Sequence, residues 1–223
     1  MATEISTIDS SAARTEILHR IREANGGSAD GDHAATQWGS IERSYRRWAT
    51  RPPAEVIELL EDRLRDYDAH AVHTAAGDVA ATVAKMLIDR GLSRMVIPDG
   101  LDAAWMPPGF DFVVDQGFHA SQLDGFEGVM TGATLAIAET GTVVLQNVPG
   151  QGRRAISLIP DYHLCLVRVQ DVVETVPEAL KRLGTTACLP TTFFSGPSAT
   201  ADIEMTRIKG VHGPRFLDVI LMH

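Results

Sequence analysis

Thr131–Asn147 reads TGATLAIAETGTVVLQN. Two short runs of small, β-branched or aliphatic residues, Ala133–Ala138 and Thr142–Gln146, flank Glu139-Thr140-Gly141. Such runs predict strands buried over most of their surface. Gly141 supplies the backbone freedom that a tight turn needs. The stretch is therefore read as a β-hairpin with a carboxylate at its turn. Glu139 is then either a solvated turn residue or a reactive group displayed on the rim of a sheet. Thr131-Gly132 opens the hairpin and offers a wall of backbone N–H groups. Thr140 and Gly141 stand beside the carboxylate.

Outward from the hairpin, strands and helices alternate. Before it, Ala69–Thr74 reads as a strand, and Gly77–Arg90 as a helix with Val79, Val83, Met86 and Leu87 along one side. Arg94–Ile97 and Phe112–Val114 read as further strands. After it come a strand at His163–Val169 and a helix at Val172–Leu183, with Val173, Val176, Leu180 and Leu183 inward. Thr191–Phe194 is a strand, a helix runs from Ala199 to Thr206, and Leu217–Met222 is the last strand. This pattern predicts an α/β fold, a mainly parallel sheet flanked by helices and joined by right-handed crossovers. Nearer the N-terminus, Ser10 or Ser11 caps a helix to Ala24, Ser28–Thr36 is a loop, and Ile41–Thr50 is an arm rich in aromatic and arginine residues that packs on the body or on a partner. Pro52-Pro53 starts an amphipathic helix at Ala54–Asp66. Residues 1–66 thus form a helical N-terminal appendage and 67–223 the α/β domain.

Composition excludes several classes. The 223 residues are 44% hydrophobic and 22% charged, ordinary for a globular chain. A net charge of −9 argues against a general nucleic-acid binder, while leaving room for a local basic pocket. Cys165 and Cys188 are the two cysteines and form no Cys-x-x-Cys pair, so neither a disulfide scaffold nor a cluster held by this chain is expected. GxGxxG and GxxxxGK[ST] are both missing, which disfavours a dinucleotide fingerprint or a P-loop. Asp30, Asp32 and His33 lack the calcium-loop pattern and are read as a solvated loop, with no metal expected. No apolar run approaches a membrane span and no secretory signal is visible, so a cytoplasmic protein is expected.

A second informative stretch lies near the C-terminus: FSGPSATADIE at Phe194–Glu204, then KGVHGP at Lys209–Pro214. Ser195-Gly196-Pro197-Ser198 ahead of a helix is either a simple N-cap or an anion site built from exposed N–H groups, hydroxyls and the helix dipole. Asp202 and Glu204 are two apart and do not share a helix face, so one of them is free to enter a pocket. Lys209, Gly210 and His212 make a loop suited to closing over an anion, with His212, like Asp202 and Glu139, a candidate acid–base residue. Arg153 and Arg154 of the PGQGRR loop add positive charge, and one of them should be solvated surface.

Three pieces in order carry a resemblance: TGATLAIAETGTVVL, then NVPGQGRRAISLIPDYHLCLV, then SGPSATADIEMTRIKGVHGPRFLDVILM. The chain resembles the LUD domain family and, within it, the C-type lactate-utilization proteins. The resemblance implies the fold shared by ribose-5-phosphate isomerases, glucosamine-phosphate deaminases and CoA transferases. It implies a subunit of a three-protein system that oxidises L-lactate to pyruvate, with iron–sulfur clusters on the partner proteins and no cofactor in this chain. A small anionic ligand follows, and the helical appendage allows a homodimer or a partner contact. The alternative is an independent enzyme. Glu139 would be the nucleophile of a CoA transferase, although those enzymes use two such domains, or the base of a sugar-phosphate isomerase with its phosphate at Ser195–Ser198. A purely structural scaffold is the third reading.

Overall fold

Helices and strands alternate because apolar residues recur at helical spacing in some stretches and at every second position, or continuously, in others. The computed structural model describes residues 10–26, 31–200, 208–210 and 212–223. The chain divides into two compact units, Met1–Tyr45 and Arg46–His223.

The first unit holds helices α1 (Ser10–Ala24) and α2 (Gly31–Ser40). The expected loop at Ser28–Thr36 is corrected from Gly31 onward, because Ala34 and Ala35 favour helix over loop. Ile17, Ile21 and Trp38 are exposed. The Arg43 guanidinium lies 4.6 Å from the centre of the Trp38 ring.

The second unit begins with α3 (Pro53–Asp66), whose Val56, Ile57, Leu60 and Leu64 form one buried stripe. Then follow β1 (His70–Thr74), α4 (Val79–Arg90), β2 (Arg94–Ile97), β3 (Asp111–Val114), the short α5 (Ala120–Leu123) and β4 (Gly128–Gly132). The hairpin is β5 (Leu135–Ile137) and β6 (Thr142–Gln146). Next come β7 (Tyr162–Arg168), β8 (Val172–Val173), α6 (Val176–Leu183), β9 (Thr191–Ser195), β10 (Ala199–Thr200), β11 (Ile208–Lys209) and β12 (Phe216–Met222).

Six strands form an all-parallel sheet in the order β1-β12-β7-β4-β2-β3. Its inner strands are apolar on both faces, as a sheet covered on both sides requires. One face, with Leu164, Leu166, Ile220 and Met222, packs on α4. The other, with Cys165, Val167, Val219 and Leu221, packs on α3 and on Ala136, Ala138, Val143 and Leu145 of the hairpin. That hairpin belongs to a second, mixed sheet, β8-β5-β6-β9, on which α6 lies through Ala179 and Leu183. No helix among the described residues is long and apolar enough to cross a membrane.

Tertiary context moves three elements. Thr131-Gly132 ends β4 of the large sheet rather than opening the hairpin. Val172–Val173 pairs with Ala136 and Ile137, so the expected helix starts only after Thr175, whose hydroxyl and Glu178 form a capping box. Leu180 of that helix points outward, 55% exposed. Ala199–Thr200 pairs with Ile208–Lys209 as a strand instead of starting a helix, and the remainder of the expected helix lies outside the described residues.

Candidate functional site

Two loops and the starts of two strands enclose a cavity of about 240 Å³. Ser195-Gly196-Pro197-Ser198 leaves β9, and His212-Gly213-Pro214 precedes β12. The two loops are tied together: Ser198 N–H donates to the Pro214 carbonyl at 2.8 Å, Gly210 N–H to the Ser198 carbonyl at 3.0 Å, and His212 N–H to Ser198 Oγ at 2.9 Å. These bonds consume the Ser198 N–H that a helix start would have presented to an anion, which corrects the helix-terminus site expected there. Ser198 keeps its own hydroxyl proton to donate into the cavity.

Gly196 is fixed by crowding as well as by backbone angle. Its φ is +77°, and a Cβ there would sit 2.4 Å from Tyr67 Cβ. Gly210, at φ +85°, faces Arg215 in the same way, with a Cβ falling 2.4 Å from Arg215 Cγ. Arg215 is anchored by Asp161, so this wall does not yield easily.

Arg154 supplies the charge. Its Nη1 donates to the Ser157 carbonyl and hydroxyl, both at 3.1 Å, and no carboxylate pairs with it among the described residues. Desolvation by the surrounding protein pulls its pKa below the ordinary arginine value, although the residue remains exposed to solvent and is the solvated member of the Arg153–Arg154 pair. The neighbouring Arg153 is committed elsewhere, with Nε 2.6 Å from Asp115 Oδ2, and is not the solvated residue expected of one member of the pair.

Behind Arg154 lies His163, 2% exposed. Burial, aided by the Arg154 charge, pushes its pKa down to about 3, so the ring is neutral at ordinary pH. Its Nε2 is 2.8 Å from Thr131 Oγ1, and Thr131 reaches Cys165 Sγ at 3.7 Å. Burial raises the Cys165 pKa to about 12, which keeps the thiol protonated. The cavity therefore presents one cation, a neutral buried imidazole, the His212 imidazole and three serine hydroxyls, and no carboxylate among its lining residues. That donor set suits a small carboxylate or phosphate.

The structure brings Ser195, Gly196, Ser198 and His212 together and leaves other predicted positions apart. Thr131 stands one layer behind, bonded to His163. Gly132 N–H donates to the Gly150 carbonyl at 2.8 Å and is no free donor wall. Gly141, at φ +57°, accommodates α3, since a Cβ there would meet Arg63 Cβ at 2.8 Å. Thr140 bonds Thr142, which in turn bonds Ser195 Oγ, each at 2.7 Å. Glu139 lines no part of the cavity and pairs with Arg46. Lys209 sits opposite Ala199 on β11, and Asp202 lies outside the described residues.

Ser157 and His163 are site residues that sequence reasoning missed. His163 occupies an apolar strand, where nothing local separates a lining residue from a core one.

A family model described as the LUD domain matches residues 2–222. Lactate utilization protein C of Deinococcus radiodurans is 41% identical over 172 residues, 76% of this chain and 80% of that protein. Lactate utilization protein C of Macrococcus caseolyticus is 27% identical over 72% of this chain and 74% of its own length. The protein of the same name from Halalkalibacterium halodurans matches at 40% identity over only 38% of this chain and 39% of its own. A crystal structure of a DUF162 family protein from Deinococcus radiodurans, 37% identical, superposes with a TM-score of 0.68 over 78% of this chain and 99% of that one.

Proposed function

The chain belongs to the LUD domain family, and from this we propose that it is a C-type lactate-utilization protein whose Arg154 cavity binds a small hydroxy- or keto-acid anion. The observation that carries the reading is Arg154, a cation without a carboxylate partner among the described residues, in a cavity of about 240 Å³. A cavity of that size suits a three-carbon acid better than a sugar phosphate or a CoA ester. The names of the relatives point to lactate, and L-lactate with pyruvate, its two-electron oxidation product, is the pair taken in this reading.

In this reading the Arg154 guanidinium holds the carboxylate, with Ser195 and Ser198 donating beside it. His212 is the group placed to take the lactate hydroxyl proton. The C2 hydrogen and the two electrons would be taken up on the partner proteins, whose iron–sulfur clusters would carry the electrons onward, with this chain as the binding subunit of a cytoplasmic system. Lys209 and Gly210 lead into the loop that carries His212, and Asp202 remains a candidate acid–base group of the protein. We read the parallel sheet with its smaller companion as the core shared by the isomerase, deaminase and CoA transferase folds. The test is calorimetric titration of L-lactate and pyruvate into the wild-type chain and Arg154→Ala, with and without the partner proteins. Loss of binding by about tenfold or more in the variant supports the reading. Equal affinities of the two chains overturn it.

A further inference from the structure

We propose that the carboxyl end of the parallel sheet carries a second ligand site for a nucleotide-class anion, with its flat ring on Trp105 and its phosphate on Arg168. The sheet order shows where to look. From β2 the chain goes to β3 on one side and then to β4 on the other, so the strand order reverses between β2 and β4. In open α/β sheets, ligands bind in the crevice outside the strand ends at such a reversal.

At that reversal a hollow of about 150 Å³ lies beside Gly132 at the end of β4 and Leu101 after β2, and it adjoins a larger one of about 640 Å³ over the ends of β7 and β12; the two share Asp102, Trp105, Arg168 and Met222 as walls. Ligand pockets commonly span about 300–1,000 Å³. The floor is closed by backbone: Gly132 N–H donates to Gly150 O at 2.8 Å, and Gly150 N–H to Asp99 O at 2.7 Å. The glycines allow this close approach, since a Cβ at Gly100 would sit 2.6 Å from Pro149 Cβ. Trp105 stands over Gly132, with ring atoms 3.7 and 3.9 Å from where a Cβ would be.

The chemistry of the walls selects the ligand class. The larger hollow is lined by Val79, Trp105, Val169 and Met222, so most of its occupant is apolar or aromatic. Arg168 ends β7 and makes no side-chain hydrogen bond or ion pair among the described residues, which leaves a guanidinium for an anion. Asp102 Oδ1 accepts from Ala104 N–H at 2.9 Å, and its other oxygen is available to a ribose hydroxyl. His223 lines the same hollow and is held by its neighbours. Its Nε2 is 2.6 Å from His73 Nδ1, and His73 Nε2 meets Glu61. His223 N–H also donates to the Thr74 carbonyl at 3.0 Å. A ring, a sugar hydroxyl and a phosphate account for Trp105, Asp102 and Arg168 in turn. No lining residue is shared with the Arg154 cavity, which lies toward the start of β7, so the proposal stands apart from the lactate reading.

The experiment is calorimetric titration of AMP, adenosine and inorganic phosphate into the full chain and its Arg168→Ala, Arg154→Ala and Trp38→Phe/Trp48→Phe variants. Arg168, Trp38 and Trp48 are exposed, so these changes spare the core. The expected AMP affinity is tighter than about 1 mM, weakened about tenfold or more in Arg168→Ala while adenosine binding is unchanged. Arg154→Ala should bind AMP as the wild type does. In the double phenylalanine variant, where Trp105 is the remaining tryptophan, AMP should still quench the fluorescence. The proposal is overturned if AMP fails to saturate near 1 mM, or if phosphate alone binds as tightly as AMP. It is also overturned if Arg168→Ala binds AMP normally, if Arg154→Ala loses as much, or if Trp105 emission does not respond.

Discussion

The hairpin turn and the Arg154 cavity both bring distant parts of the chain together, and they differ in whether the charge they hold is matched. At the turn, Glu139 pairs with Arg46, and the buried Glu174 accepts from Arg46, from Arg51 and from the backbone N–H groups of Thr50 and Arg51, the last two at 2.6 and 3.0 Å. Burial alone would raise the Glu174 pKa, but these hydrogen bonds outweigh it and hold the carboxyl at about 2. Every charge there is spent on joining residues 46–51 to the second sheet, and Trp48 adds to the join beneath Lys181 Nζ, 4.3 Å from its ring centre. In the cavity, Arg154 has hydrogen bonds to Ser157 and no counter-charge among the described residues. Matched charges hold a fold together, whereas an unmatched cation in a cavity is available to a ligand.

The largest expected effect breaks the matched side. Glu174→Ala leaves Arg51 and two backbone donors without their acceptor and Arg46 with Glu139 alone, and should cost about 1.5–3 kcal/mol in urea unfolding. A loss below about 1 kcal/mol would show that the cluster is not structural. Next comes acid stability. The folded His163 pKa, about 3, lies below its ordinary 6.5, and that of Glu174, about 2, below its ordinary 4.5. In both cases the unfolded chain binds the proton first as pH falls. Stability should therefore decline from about pH 6.5 downward through His163, and more steeply below about pH 4.5 as Glu174 joins. His163→Gln should remove the upper part of that decline, and an unchanged profile would contradict the neutral buried imidazole.

Smaller in free energy, but more telling for function, is Arg154→Ala. It should weaken lactate or pyruvate binding about tenfold or more while leaving the melting temperature nearly unchanged. The smallest effect is expected at Glu139. Its side chain is 35% exposed, and Arg46 keeps Glu174 as a partner, so Glu139→Ala should shift stability by no more than about 0.5 kcal/mol and leave lactate-dependent growth intact. Abolished growth in that variant would return the turn carboxylate to the chemistry and reverse the comparison.

What the sequence by itself determined was local. The hairpin at Ala133–Gln146, the α3 face of Val56, Leu59, Leu60 and Leu64, the α4 stripe of Val79, Val83, Met86 and Leu87, and the strand at Arg94–Ile97 were legible because side-chain period and turn glycines act between neighbours along the chain. Family membership was legible for a related reason: the motifs lie in long contiguous pieces. Tertiary structure decided the rest. Val172–Val173 became a strand because Ala136 and Ile137 offered an edge to pair with, and Ala199–Thr200 did so because Ile208–Lys209 came back beside it. It also decided that Arg46 takes Glu139, that Asp115 takes Arg153, and that Arg154 is left facing Ser195, Ser198 and His212. Whether a charge is matched depends on through-space distance and burial, and neighbouring residues in the chain carry no record of either.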